Sequence, residues 1–156
     1  MLYEPIPPSR SRRSRSATRN SSPMSRTRNS AAYKGIYALL MAKGCKDWYF
    51  DQDITLANHH QLAVDVHHIF PKTWCNAHGI DELRRESIVN KTAIAAKTNR
   101  DVIGGKAPSK YVMALATAAG TSTAVIADRI EGHQVSYKHL ADDDFDSFFE
   151  TRRRAL

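Results

Sequence analysis

The sequence predicts an α+β fold in a single domain. Two short runs, residues 61–66 and 87–94, alternate between apolar and polar side chains or are rich in β-branched ones, as is typical of strands. The segments outside them carry apolar residues at helical spacing. A chain of 156 residues suffices for one domain with a modest core. We therefore expect two strands surrounded by helices.

The positive charge of the chain is concentrated in an N-terminal tail. The net charge is +7, but residues 9–28 contain seven arginines and no acidic residue. The remainder has as many acidic as basic side chains, so charge alone does not indicate a nucleic-acid-binding domain. Residues 1–30 are rich in Ser, Arg and Pro and are predicted to be disordered. A basic arm that holds phosphates and a transit peptide are the alternatives for this tail.

Cysteine content and hydropathy predict a reducing, cytoplasmic setting. Cys45 and Cys75 are far apart and form no CxxC motif, so we expect no disulfide framework. No apolar run reaches the roughly 18–20 residues that a membrane span needs.

The domain is predicted to span residues 31–156. A helix begins near Ala31, and residues 47–58 form a loop before the first strand. Residues 72–86 are expected to be irregular, and a short helix is predicted over residues 96–103. Further helices begin at Pro108 and Thr121. The last helix, residues 142–155, has aspartates in its first turn and arginines in its last, which suits the helix dipole. Its phenylalanines form the buried face.

The stretch from Asp65 to Lys72 is the strongest candidate for chemistry. It contains two adjacent histidines, His67 and His68, here called the histidine doublet. Neighbouring residues on a strand point to opposite faces, so both imidazoles can serve one site only where the strand ends. Pro71 supports such an end, because it has no N–H for a strand ladder.

Two asparagines are candidates to join the histidine doublet. Asn90 lies in the second predicted strand and Asn99 in the short helix that follows. On one continuous helix, residues nine apart would lie on nearly opposite faces. A strand followed by a turn and a helix allows them to converge. The predicted core, residues 61–105, can therefore bring three segments to one point.

These motifs resemble a known nuclease family. DVHHIFPK, followed by SIVNKTAIAAKTNR and GGKAPSKY, is similar to the HNH or ββα-metal nucleases. The resemblance is closest to the C-terminal nuclease domain of the GmrSD type, also called the DUF1524-like domain. Such domains accompany DUF262 domains in modification-dependent restriction systems. The resemblance implies a ββα-metal core with packed N- and C-terminal helices, and a metal-dependent endonuclease that hydrolyses DNA phosphodiester bonds. RNA is not excluded as the substrate.

The resemblance implies a role for each candidate. His68 matches the general base, and a neutral imidazole can accept a proton from water near neutral pH. His67 matches the metal ligand that precedes the base, and Asn99 matches the second metal ligand. Asn90 matches a catalytic-site asparagine that orients its neighbours.

One residue departs from the family pattern. Many HNH members have aspartate where this chain has His67. Imidazole is a softer ligand, so Mn²⁺, Ni²⁺, Co²⁺ or Zn²⁺ are considered beside Mg²⁺. Asp65 shares a strand face with His67 and is predicted to support the metal ligands. Lys72, Arg100 and Lys110 are candidates for binding phosphates.

Two alternatives belong to other functional classes. The first is a catalytically silent nucleic-acid-binding module. The second is a zinc-stabilised interaction module in which Cys75 and His78 join the histidine doublet. His59 and His60 are interpreted as a solvated pair in a loop. The family resemblance also predicts a nucleotide-hydrolysing DUF262-type partner domain, so we expect this chain to be either a separately encoded nuclease subunit or a truncated remnant.

Overall fold

A computed structural model describes residues 31–156, and the predicted tail of residues 1–30 lies outside them. The fold of the described residues is mixed α+β, as predicted. None of their helices is long and apolar enough to cross a membrane. The elements are, in order, α1 (Ala31–Ala42), β1 (Val64–His68), α2 (Lys72–Ala77), α3 (Glu82–Arg85), a 3-10 turn (Ile88–Asn90), β2 (Lys91–Ala95), a π-helix (Thr98–Ile103), α4 (Pro108–Ala119), α5 (Thr123–Glu131), α6 (Tyr137–Ala141) and α7 (Phe145–Ala155).

The two strands form an antiparallel pair. The register places His67 opposite Thr92 and His68 opposite Lys91. β1 begins later than predicted, because Ala63 adopts a left-handed conformation (φ 46°) that closes a turn. The strand ends at His68, so the histidine doublet forms its last two residues.

The second predicted strand is shorter than expected, and Asn90 does not belong to it. Residues 88–90 form a 3-10 turn, and β2 starts at Lys91. The Ser87 hydroxyl accepts a hydrogen bond from the Val89 N–H at 3.2 Å, which stabilises a turn at this point. Asn90 therefore occupies the junction between turn and strand.

The segment predicted to be irregular contains two short helices. Pro71 precedes α2 with φ −58°, a value that suits entry into a helix. The side chain of Asp81 accepts a hydrogen bond from the Arg84 N–H at 3.0 Å and caps α3. Both signals are present in the sequence, but each helix is too short to show an apolar stripe.

The core lies on both sides of the small sheet. α7 places Phe145 and Phe148 against Phe70, with ring centroids 5.2 and 4.9 Å from it, so the second residue after the histidine doublet is firmly packed. A second cluster contains Leu40 of α1, which is buried. Its neighbour Leu39 is 57% exposed, so α1 is only partly covered by the described residues.

The last helix begins at Phe145, three residues later than predicted. Asp144 caps it by accepting from the Ser147 N–H at 3.0 Å. Asp143 has φ 53° and instead accepts from the backbone and the hydroxyl of Ser109. At the other end, Arg152 is 1% exposed, so it is a buried anchor and not only a charge that complements the helix dipole.

Candidate active site

Three of the predicted site residues line one open cleft. His67 and His68 come from the end of β1, and Asn99 comes from the π-helix. The cleft has a volume of about 230 Å³ and is also lined by Pro71 and Lys72. The antiparallel pair and the helix that follows it bring these segments together.

The two predicted metal ligands lie next to each other. His67 Nδ1 is 2.9 Å from Asn99 Oδ1. The Asn99 amide donates to Asp65 Oδ2 at 3.3 Å, and this bond directs its oxygen towards His67. Asp65 also accepts from Arg100 at 3.0 Å. Asp65 thus acts on the pair through Asn99.

His67 is held neutral in an aromatic environment. Its side chain is 2% exposed, and this burial lowers its pKa to about 3. The rings of Trp48 and Tyr111 meet it edge to face, with centroids at 5.5 and 5.9 Å. Its Nε2 is buried without a hydrogen-bond partner among the described residues.

This arrangement fits a divalent cation. The 2.9 Å contact is a hydrogen bond that His67 Nδ1–H donates to Asn99 Oδ1, and a divalent cation bound by these two atoms would displace that proton to Nε2. Ligands about 2.1 Å from a metal and at right angles to each other lie roughly 3.0 Å apart. The observed separation of 2.9 Å is close to that value. Among residues 31–156, no three His, Cys, Asp or Glu side chains are gathered as metal ligands. The pair proposed here combines an imidazole with an amide.

His68 has a carboxylate partner that sequence reasoning missed. Its Nε2 lies 3.1 Å from Glu86 Oε2, so the neutral imidazole donates its proton there and keeps a lone pair on Nδ1. Burial lowers the pKa of His68, and the hydrogen bond to Glu86 opposes that effect. The partner comes from the end of α3, a segment that showed no periodicity in the sequence.

Glu86 gathers positive charge beside the cleft. Lys72 and Arg85 contact one of its carboxylate oxygens at 3.0 and 3.2 Å, and Lys91 lies 3.5 Å from the other. Burial alone would raise the pKa of Glu86, but hydrogen bonds from Lys72 and His68 outweigh it and lower the pKa to about 2. Three cations around one carboxylate leave an electropositive surface, which suits a phosphate substrate.

Asn90 holds the chain that follows the histidine doublet. Its side chain accepts from the Phe70 N–H at 2.8 Å and donates to the carbonyls of Phe70 and Arg85 at 3.1 and 3.0 Å. The Tyr111 hydroxyl donates to the Ile69 carbonyl at 2.8 Å. Asn90 thus contacts the backbone, and it is absent from the described residues that line the cleft.

A buried carboxylate anchors the helix that carries Asn99. Asp47 accepts from the Ala95 N–H at 2.7 Å and from the Thr98 hydroxyl at 2.6 Å. These bonds join the end of β2 to the start of the π-helix. The wide turns of π-helices recur at functional sites. Asp47 lies in the loop predicted for residues 47–58, where no sequence signal marked it as a structural residue.

Comparison with known proteins gives one distant similarity. The chain is 36% identical over 83 residues to an uncharacterized protein of Methanocaldococcus jannaschii. The match covers 53% of this chain but only 13% of the archaeal protein, so the chain spans a small part of that relative. No protein-family model and no solved structure matches the chain.

The structure separates the three predicted phosphate-binding residues. Lys72 lines the cleft, although it is paired with Glu86. Arg100 is exposed beside Asp65, in a second cleft. Lys110 is exposed on the first turn of α4 and is absent from the described residues that line these two clefts.

The residues suggested for a structural zinc site have other contacts. Cys75 is fully buried, burial raises its pKa to about 11, and its thiol donates to the Phe70 carbonyl at 3.5 Å. His78 stacks on Trp74 with ring centroids 3.8 Å apart. These contacts give Cys75 and His78 packing roles.

Proposed function

We propose that the chain is a metal-dependent endonuclease that hydrolyses DNA phosphodiester bonds with a ββα-metal (HNH) arrangement. The observation that carries the proposal is the convergence of His67, His68 and Asn99 on one cleft. Asn90 supports it, because it holds the backbone that leaves this cleft. The motif resemblance and the cations around Glu86 point in the same direction.

His68 is the general base in this proposal. Glu86 holds the proton on Nε2, so Nδ1 has the lone pair that accepts a proton from water. The resulting hydroxide attacks phosphorus in line with the 3′ oxygen, and the bond from phosphorus to that oxygen breaks. Glu86 then stabilises the imidazolium that has formed, as a carboxylate does beside a catalytic histidine.

His67 and Asn99 are the residues that would hold the cation. A bound divalent cation stabilises the negative charge on the phosphate and on the departing oxygen. The low pKa of His67 keeps its lone pair available throughout the physiological pH range. Asp65 orients the Asn99 oxygen, and such supporting hydrogen bonds strengthen metal sites. Mg²⁺ and Mn²⁺ are proposed first, and Ni²⁺, Co²⁺ and Zn²⁺ follow from the imidazole ligand.

A plasmid-nicking assay tests the proposal. We expect the full chain to nick supercoiled DNA in at least one of Mg²⁺, Mn²⁺, Ni²⁺, Co²⁺ and Zn²⁺. His68→Ala should lower the rate by at least about 100-fold, because general-base catalysis contributes at least that much. His78→Ala, a histidine outside the cleft, serves as the matched control. Equal nicking by His68→Ala and the wild type would refute the catalytic assignment, and DNA binding without nicking would favour the silent binding module.

We further propose that the nuclease acts in a modification-dependent restriction or phage-defence system with a DUF262-type partner. The motif resemblance supports this proposal. Co-expression with a DUF262-type protein from the same genome, followed by co-purification and nicking of modified DNA, tests the partnership.

A further inference from the structure

A second cleft adjoins the first along β1. It has a volume of about 440 Å³ and is lined by His59, His60, Asp65 and Arg100, together with neighbouring backbone. We call it the flanking cleft. Val64 and Asp65 line the flanking cleft. The next residues of β1 line the first cleft, which contains the histidine doublet and is here called the catalytic cleft. Adjacent halves of one strand therefore face two binding spaces.

The π-helix joins the two clefts as well. Asn99 lines the catalytic cleft, and the next residue, Arg100, lines the flanking cleft. Both donate hydrogen bonds to the same oxygen of Asp65, at 3.3 and 3.0 Å. A single carboxylate thus fixes a proposed metal ligand on one side and a guanidinium on the other.

The side chains of the flanking cleft suit an anion. Arg100 is 70% exposed, and a guanidinium has more N–H donors than the one that Asp65 engages. His59 and His60 lie beside it with ring centroids 5.4 Å apart, and neutral imidazoles also donate hydrogen bonds. The carboxylate of Asp65 is occupied by Asn99 and Arg100.

We infer that the flanking cleft binds a backbone phosphate of the DNA strand that is being cut. The parts of β1 that line the two clefts are centred about two and a half residues apart, or about 8 Å at the usual strand rise. A separation of this order places the bound phosphate close to the cleaved one on the same strand. The inference rests on the proposed function, because it places this phosphate relative to the cleaved one. It gives His59 and His60 a role beyond that of a solvated loop.

Salt-dependent DNA binding tests this inference. The His68→Ala protein is titrated with a labelled DNA duplex in EDTA, at several salt concentrations. Adding Arg100→Ala should weaken binding about tenfold and reduce the salt slope by about one, because one phosphate contact is lost. Adding His59→Ala with His60→Ala should weaken binding, because two hydrogen-bond donors are lost. Arg100→Lys should retain the slope.

Lys138→Ala is the matched control. Lys138 is an exposed cation on α6 that lines neither cleft, so its loss should leave the slope within error. Thermal melting verifies that every variant is folded. If Arg100→Ala has the slope of Lys138→Ala while the wild type still nicks DNA, the flanking cleft does not bind phosphate and only this inference falls. Absence of nicking by the wild type would remove the proposed function and this inference with it.

Discussion

At the scale of single residues, Glu86 has the largest consequence for chemistry. An isolated imidazole can carry its proton on either nitrogen, and only one tautomer leaves the required lone pair. The hydrogen bond to Glu86 selects that tautomer, and the neighbouring lysines keep the carboxylate ionised. Glu86 is therefore a positioning residue in the proposed mechanism.

Replacement of Glu86 tests this role. Glu86→Ala should lower kcat by at least about tenfold, because part of the general-base contribution of His68 is lost. KM for DNA should change less, and Glu86→Gln should recover part of kcat, since its amide oxygen can still accept from His68. The measurement is the rate of plasmid nicking at varied DNA concentration. A fall in thermal stability with unchanged kcat would mean that Glu86 is only structural.

The role of Glu86 could not be predicted from the sequence, and the reason is physical. The histidine doublet and Asn99 belong to motifs with fixed spacing, so their convergence could be predicted. Glu86 reaches His68 from 18 positions away through the ends of two helices that have fewer than two full turns each. Helices of that length show no periodicity, and tertiary contacts decide their course.

At the scale of elements, the 3-10 turn controls the exit of β1. Its last residue, Asn90, is fully buried and makes three hydrogen bonds to two separate backbone segments. The segment that follows the histidine doublet and the end of α3 are thereby joined by one side chain. A β-branched run predicted a strand here, but the Ser87 cap and the hydrogen bonds of Asn90 favoured a turn for its first residues.

Asn90→Ala should destabilise the protein strongly. It leaves the Phe70 N–H and the carbonyls of Phe70 and Arg85 without their partner, which costs roughly 3 kcal/mol of unfolding free energy. Urea unfolding measures this difference. Asn76→Ala is the control, since Asn76 is exposed and accepts one bond from the Arg85 side chain. Similar unfolding midpoints for the two variants would contradict the proposed clamp.

At the scale of the whole molecule, buried histidines tie stability to pH. His133 is fully buried between the Thr92 hydroxyl and the Lys46 carbonyl, each 2.7 Å from a ring nitrogen. Burial lowers its pKa to about 4, below the usual value of 6.5. The unfolded chain therefore binds the proton more readily than the native state. The stabilisation is complete above pH 6.5 and is lost as the pH falls towards 4.

His133→Gln should flatten this pH dependence. One histidine with a lowered pKa contributes about 1.4 kcal/mol per pH unit within that window. Urea unfolding at pH 7.5, 5.5 and 4.5 should show a smaller loss of stability in the variant than in the wild type. His67 retains its own contribution in both proteins, because its pKa is also lowered, to about 3. Parallel pH curves would assign the acid sensitivity to other groups.

The buried Arg152 has a consequence for when the chain can complete its fold during its synthesis. Its guanidinium donates to the carbonyls of Val89 and Lys91, at 2.5 and 2.8 Å, and so fixes the turn that carries Asn90. The anchor lies 61 to 63 positions later in the chain than these two residues. At roughly 5–20 residues per second, the ribosome adds it about 3–12 s after the turn itself. A nascent chain that already contains every proposed catalytic side chain still lacks Arg152, the residue that fixes the turn carrying Asn90.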